Sequence, residues 1–450
     1  MYINLEDGRR VLDAVGGTGV ACLGNSHPKV IQAMKDQIDN VSYVYSMQLS
    51  NRPAESLAKK LISTSRGAFG ACGFVCGGTE AMESIIMLGK QYYVEIRQPQ
   101  RKNYIARQLS FHGDSLTTLS LSYRPIRRAP YADLLNTERF HHVSPAYAKR
   151  FQKPDETEEQ YVERLRKELE DKFISLGPDT IIGCKFFFAH PSLQWLISII
   201  VVAETVVGAT TGVVPAPKGY FKAMKSVCDK YGALFILDEV MSGMGRMGTL
   251  HGWESFGDDV APDIQAVAKS LGGGYAPIGA VLMSSKVADG IKNGSGSWKF
   301  GHTFQAHPVA CAAALAVQNV IESENLLENV RKQGVYLESL LQAGLKGPNA
   351  LAAPYIFDIR GGGGFWGIEF DFTDATDLDF GDEAFAFRVQ ARALELGLLI
   401  TGRTGGSNVE GTKGDHIILA PAYIVTQEQI KKIADILVQS VEEVLKEVAV

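Results

Sequence analysis

Cysteine, one-sided charge and unbroken apolar length are all scarce in this chain, and each shortage removes a class of function. Six cysteines (Cys22, Cys72, Cys76, Cys184, Cys228 and Cys311) are scattered over 450 residues. With no basic-then-apolar leader at the start, a secreted disulfide framework is not expected. A reducing compartment fits instead, the cytoplasm first, with a mitochondrial location left open. No second pair and no histidine at ligand spacing follows Cys72 and Cys76, so these read as buried thiols, and no metal site is expected. Lys and Arg total 45 against 50 Asp and Glu, a net of −5, which offers no general attraction to phosphate backbones or anionic lipid. Nucleic acid and membrane are therefore not expected as partners. The apolar stretch ending in 199–203 is interrupted by Lys185, His190, Pro191 and Gln194, so it cannot cross ~30 Å of hydrocarbon.

Glycine is what the chain has in plenty. Its 46 glycines exceed the norm of roughly 7%, which predicts many tight turns and close backbone approaches. The length is about three times that of a typical domain, so two unequal lobes are expected. Short apolar runs alternate with helical periods from Pro28 to about residue 310, the pattern of a parallel sheet covered by helices. Beyond the helical stretch 310–321, helices at 326–345, 382–395 and 427–448 alternate with strands at 356–360, 367–370, 398–401 and 416–419. These read as a smaller α+β lobe. The charged stretch 154–171 reads as a surface helix.

Three local contexts carry chemistry. Gly77-Gly78-Thr79 breaks a strand from a helix and exposes backbone amides at the positive helix end, a candidate phosphate cup, although an ordinary strand-to-helix turn has the same look. It matches neither G-x-G-x-x-G nor the G-x-x-x-x-G-K-[ST] loop, which leaves an NAD(P) oxidoreductase without its fingerprint. Asp238 and Glu239 close an apolar strand, where open α/β sheets place ligands, or else they cap a helix. Lys269 follows the next apolar strand and precedes three glycines, which brings an amine to the same sheet edge. A desolvated lysine has a lowered pKa and becomes a nucleophile toward aldehydes. Pyridoxal phosphate needs such a lysine, a carboxylate for its ring nitrogen and a phosphate cup, and all three are present.

The sequence also resembles a known family, the class III pyridoxal-phosphate-dependent aminotransferases, the ω-aminotransferase group of fold type I. The matching stretches include LEDGRRVLDAVGG (5–17), CGGTEAMESIIMLGKQYY (76–93), FHGDSLTTLSLS (111–122), VGATTGVVPAPKGYF (207–221), LFILDEVMSGMGRMGTLHGWE (234–254), AKSLGGGYAPIGAVLMS (268–284), HTFQAHPVACAAALA (302–316) and GDHIILAPAY (414–423). The resemblance implies an α/β fold, with a large domain built on a mainly parallel seven-stranded sheet and a smaller α+β domain. It places the large, cofactor-binding domain at 36–320 and the small domain at 1–35 and 321–450.

Carried over residue by residue, Lys269 resembles the lysine that bonds the cofactor aldehyde and moves the proton, and Asp238 the partner of the ring nitrogen. Val240 resembles the apolar residue under the ring. Phe111, where tyrosine is common, resembles the stacking aromatic, with His112 beside it. Gly78 and Thr79 match the phosphate cup. Thr303 resembles the threonine that reaches the phosphate from a neighbouring subunit, which implies a homodimer with shared sites. Glu204 matches an acidic residue near the cofactor, with Thr205 where a proline is usual. Met241 stands where a polar residue is common. Tyr43 and Tyr45 fall at the substrate entrance. Arg403 either forks a substrate carboxylate or is a solvated loop arginine.

The implied activity is a ping-pong transamination from an amine or ω-amino acid to a keto acid. An aminomutase, racemase or decarboxylase could use the same lysine, aspartate and cup. Two departures raise a further alternative, a non-catalytic homologue. An apolar segment, 184–200, intervenes before Glu204, as an unspliced intron or gene-model error would. The chain also starts at a strand that relatives reach only after a covering N-terminal segment.

Overall fold

A computed structural model describes residues 1–177 and 199–450. The strands, in chain order, are β1 (Tyr2–Asn4), β2 (Arg10–Asp13), β3 (Ala71–Val75), β4 (Asn103–Arg107), β5 (Phe140–Val143), β6 (Ile199–Glu204), β7 (Val206–Val207), β8 (Val214–Pro215), β9 (Leu234–Asp238), β10 (Ile264–Val267), β11 (Gly279–Met283), β12 (Ile356–Gly362), β13 (Phe365–Phe370), β14 (Leu398–Leu399), β15 (Thr401–Thr404) and β16 (Asp415–Leu419). Seven of them form one sheet in the order β3-β11-β10-β9-β6-β4-β5. The run β10-β9-β6-β4-β5 is parallel, and β11 lies antiparallel to both its neighbours. The expected mainly parallel seven-stranded sheet is thus present. Its central strands are apolar at almost every position because both faces are covered. Every residue of β9 and β10 is buried. The helix Gly78–Glu95 packs its Ile85, Ile86 and Leu88 on one face, while Glu158–Leu176 and Tyr220–Tyr231 cover the other with Leu169, Phe173 and Phe221. Tyr220–Tyr231 stops where predicted, at Gly232, which takes the left-handed conformation (φ 63°) that favours glycine.

Beyond this sheet, β12, β13, β16 and β15 form an antiparallel sheet in that order, backed by the helices Leu326–Lys346, Phe385–Glu395 and Gln427–Val448 through Leu341, Phe385, Ile433 and Leu437. The predicted strand at 398–401 divides. Leu398 and Leu399 pair in parallel with β2, whereas Thr401–Thr404 pairs with β16, so the chain passes from one sheet to another at buried Ile400. Two predicted helices start later than the periodicity implied. The surface helix begins at Glu158 because Thr157 and Gln160 form a capping box there, and the helix expected from 382 begins at Phe385. Of the apolar segment 184–200, residues 184–198 lie outside the described residues, while Ile199 and Ile200 open β6. No described helix is long and apolar enough to cross a membrane.

Candidate active site

The carboxyl ends of the parallel strands converge on one cavity. Glu204 and Asp238 are register partners at the ends of β6 and β9, and Asp238 is in turn paired with Ala266 of β10. Lys269 follows two residues after β10 and holds a left-handed backbone (φ 37°), an uncommon conformation for a residue with a side chain. All three line a cavity of about 440 Å³ together with Thr79, Phe111 and Val240. Gly78 and His112 line it too. The structure therefore brings together Lys269, Asp238, Glu204, Val240, Phe111, His112, Gly78 and Thr79, as the sequence reading expected.

Asp238 is nearly sealed from solvent and fixed at both oxygens. Oδ1 accepts from the Val240 N–H at 3.0 Å and Oδ2 from His112 Nδ1 at 2.8 Å. The imidazole orients the carboxylate and adds a donor to it. Burial drives the Lys269 amine down from its ordinary 10.5 to about 8; Asp238 and Glu204 work against that shift, while Arg246 and Arg403 add to it. At a pH near 8 much of this amine is neutral, as a nucleophile toward an aldehyde must be. Burial likewise raises the Glu204 carboxyl, opposed by the nearby His112. Glu204 serves the loops around it: Oε1 accepts from the Phe111 N–H at 3.0 Å and Oε2 from the Gly208 N–H at 3.2 Å.

At the far side of the cavity, the helix Gly78–Glu95 begins behind Gly77 with no side-chain cap, so its first N–H donors have no side-chain partner at the positive end of the helix. Glycine is required at 78: a Cβ there would sit 2.8 Å from Val240 Cγ1. These features fit pyridoxal phosphate. The uncapped helix start suits a phosphate, Val240 and Phe111 suit the two faces of a ring, and buried Asp238 suits a protonated ring nitrogen.

Asp238 and Glu239 part company despite being neighbours, because successive side chains on a strand point to opposite sides. Glu239 points away from the cavity. Its carboxylate accepts from the N–H groups of Gly252 (2.7 Å) and Trp253 (2.6 Å), from Thr205 Oγ1 (2.8 Å) and from Gln265 Nε2 (2.5 Å). This network fastens the 252–253 turn beneath β9 and gives Thr205, in its unusual place, a partner. Burial pushes Glu239 up to about 7 against those hydrogen bonds. The pattern of the sequence held no signal for this network, since its partners come from three separate segments.

Four expected residues stand apart from the cavity. Tyr43 donates through its hydroxyl to the Thr303 carbonyl at 3.2 Å and meets the Phe304 ring edge-on. Tyr45 is exposed nearby in sequence, with Met47, Leu49 and Phe304 also exposed. Arg403 lines an adjacent hollow with Arg124 and Arg127. None of the three arginines of the 124–128 stretch was singled out, because basic residues in a Pro-containing run read as solvated.

A sequence model of the family described as Aminotransferase class-III matches residues 1–176 and 197–441. The chain belongs to the class III aminotransferases. The match breaks at 177–196, within and just before the stretch marked above as extra. An uncharacterized aminotransferase of Schizosaccharomyces pombe is 40% identical over 443 residues, covering 98% of this chain and 90% of that one. Gamma aminobutyrate transaminase 3, chloroplastic, of Solanum lycopersicum is 32% identical, over 96% of this chain and 77% of its own. The omega transaminase of Pseudomonas jessenii in complex with PMP superposes with a TM-score of 0.85 at 27% identity, over 99% and 91% of the two chains. The protein is a pyridoxal-phosphate-dependent transaminase of fold type I, and the family assignment favours transamination over the aminomutase, racemase and decarboxylase alternatives.

Proposed function

We propose that Lys269 and Asp238 are the catalytic pair of this aminotransferase, with Gly78, Thr79, Phe111, His112, Glu204 and Val240 holding the cofactor. When bound, pyridoxal phosphate supplies the electron sink that lets an amino group leave one carbon and return to another. The rest is work for the chain's own residues. Lys269 Nζ, neutral for part of the time near pH 8, would hold the cofactor through its aldehyde carbon and would serve as the base that moves a proton at the reacting carbon. Asp238 keeps a proton on the ring nitrogen, and His112, hydrogen-bonded to Oδ2, keeps that carboxylate aimed. Glu204 secures the backbone of Phe111, which positions the ring beside it. The observation that carries this reading is the shared cavity of Lys269 and Asp238, one desolvated amine and one oriented carboxylate. The test is a Lys269→Ala variant given pyridoxal phosphate. It should lack both the wild-type visible absorbance removable by borohydride and any transfer of an amino group to a keto acid. Retention of activity overturns the assignment.

Several coarser readings belong with this one. A homodimer with shared sites is supported by the exposed Tyr45, Met47, Leu49 and Phe304 around Thr303, an apolar grouping that a solvent-facing surface rarely keeps. Thr303 then serves the partner's phosphate, and Tyr43 and Tyr45 border its entrance. A two-domain division, 36–320 against 1–35 with 321–450, is supported by the pairing of β1 and β2 with β14, the helix Pro28–Asn40 bridging the first boundary. Five free cysteines among the described residues suit a reducing compartment such as the cytoplasm. The apolar segment 184–200 is read as an unspliced intron or gene-model error, and sequencing the transcript decides it: a mature message encoding these residues overturns that reading.

A further inference from the structure

Residues 16–19 form a turn of the uncommon hand. Gly16, Gly17, Thr18 and Gly19 have φ of 53°, 61°, 67° and 82°, a left-handed run that glycine allows and that β-branched Thr18 resists. The turn is fastened at its start, where Asp13 Oδ1 accepts from the Val15 and Gly16 N–H groups at 3.1 and 2.7 Å. At its end the Gly19 carbonyl accepts twice, from Ser270 Oγ at 3.1 Å and from Arg246 Nη2 at 3.4 Å. Ser270 follows Lys269 in the chain, and Val20, the residue after the turn, lines the same cavity as Lys269. One carbonyl thus joins a wall of the cavity to the backbone beside the reacting amine. It also joins two strained stretches, the turn and Lys269 at φ 37°, and such strain persists only where the surroundings over-determine it.

Arg246 is fully buried. Its Nη1 donates to the Pro421 carbonyl at 2.6 Å and the Gly364 carbonyl at 3.0 Å, and the Tyr423 ring centre lies 4.7 Å from the guanidinium carbon. Among the described residues every hydrogen bond of this side chain ends on a carbonyl and none on a carboxylate. Carbonyls need a donor rather than a charge, and a neutral amide would serve them without the cost of burying a cation. The charge finds a use at Lys269. Burial pushes that amine down first, Arg246 and Arg403 add to the shift, and Asp238 and Glu204 oppose it, with His112 seated on Asp238 Oδ2. We propose that Arg246 is a positioning residue for the amino transfer: together with Ser270 it clamps the Gly19 carbonyl, which keeps the Val20 wall and the Lys269 backbone in one fixed relation. Its uncompensated charge also favours the neutral form of the amine. This inference rests on the reading of Lys269 as the residue that holds the cofactor.

The experiment follows uptake of pyridoxal phosphate by the cofactor-free full-length chain, by rapid-mixing absorbance from pH 6 to 10, in wild type and three variants. Each profile gives an inflection and a limiting rate at high pH. Arg246→Gln should raise the inflection by at least about half a unit, because a cation that disfavours the charged amine is gone. It should also lower the limiting rate at least about tenfold, as misplacement of a reacting group does. Arg246→Lys keeps the charge but not the fork, so its inflection should return to within about 0.2 unit of wild type while the limiting rate recovers only in part. Ser270→Ala removes one donor and no charge; it should leave the inflection in place and slow the limiting rate at least about threefold. An Arg246→Gln profile that overlies the wild type overturns the proposal, even if its melting temperature falls, since packing alone would then be the role. An Arg246→Lys inflection displaced as far as that of Arg246→Gln overturns it too. If Arg246→Gln does not fold, Ser270→Ala decides: a slowed limiting rate upholds the clamp and an unchanged one overturns it. A wild type that takes up no pyridoxal phosphate fells the reading of the Lys269 cavity and this inference with it, whereas variants that match a competent wild type fell this inference alone.

Discussion

The amine of Lys269 is poised by opposing influences, and their balance is measurable. Burial lowers it to about 8 while Asp238 and Glu204 pull it back up. The rate at which the cofactor-free protein takes up pyridoxal phosphate should rise roughly tenfold per pH unit below 8 and level off above it, because only the neutral amine attacks. Rapid-mixing absorbance across pH 6 to 10 reads this directly. In Asp238→Asn the main charge opposing burial is gone, so the inflection should move down by about one unit, and turnover should fall by several kcal/mol of barrier, roughly a hundredfold or more. A merely structural Asp238 would leave the inflection in place. The charged lysine also costs the empty fold stability below about pH 8, and that cost is relieved as pH climbs toward the ordinary 10.5. Lys269 and Asp238 were legible in the sequence because a strand end followed by an acid or by Lys-x-x-Gly is a local pattern. The His112–Asp238 hydrogen bond was not, since it joins residues 126 positions apart.

Elements hold the site through two buried carboxylates that do no chemistry. Glu239 satisfies four donors beneath β9. Glu239→Ala strands them, and urea unfolding should show a loss of about 3–5 kcal/mol, at 1–3 kcal/mol for each buried group left unmet and with part of it relieved by water. Glu369 on β13 joins the antiparallel sheet to the short helix Ala148–Phe151. It accepts from the Tyr147 hydroxyl, pairs with Arg150 Nη2 at 2.8 Å and with Arg360 Nη1 at 2.7 Å, and accepts from Ser407 Oγ at 2.7 Å. Burial works to raise this carboxyl, but Arg360 and the hydrogen bonds outweigh it and hold it below the usual carboxylate range. A lowered carboxyl contributes stability that is present above its ordinary 4.5 and lost as pH falls through the folded value. Glu369→Gln should therefore cost about 3–5 kcal/mol at neutral pH, and the gap from wild type should narrow in acid, as thermal unfolding at a series of pH values will reveal. Helix and strand positions were readable from periodicity and glycine stops. The late starts at Glu158 and Phe385 and the divided strand at 398–404 were not, because caps and partner sheets decide them.

For the whole molecule, the residues that the sequence placed at the entrance and the structure places outside the cavity make most sense in a pair of chains. Met47 is 73% exposed, beside Tyr45 and Leu49, so a charge there should be tolerated by a monomer and not by a dimer. Sedimentation at micromolar concentration should show a dimer for the wild type. Met47→Glu should shift it to monomer and lower activity at least about tenfold, since Thr303 would no longer reach its neighbour's site. A monomeric wild type with full activity would overturn the shared-site reading. The resemblance at Thr303 implied a pair of chains, but which apolar residues lie exposed was not readable, because exposure is a property of the folded chain.

The pairing of β2 with β14 has an effect on how this protein comes into being. Leu12 finds Leu398 in register, so one strand waits for a partner made 386 residues later. Over all that synthesis the edge of β2 that faces β14 stays open to whatever else is nearby, and bacterial expression should gain more from slower synthesis or a chaperone than from a stronger promoter.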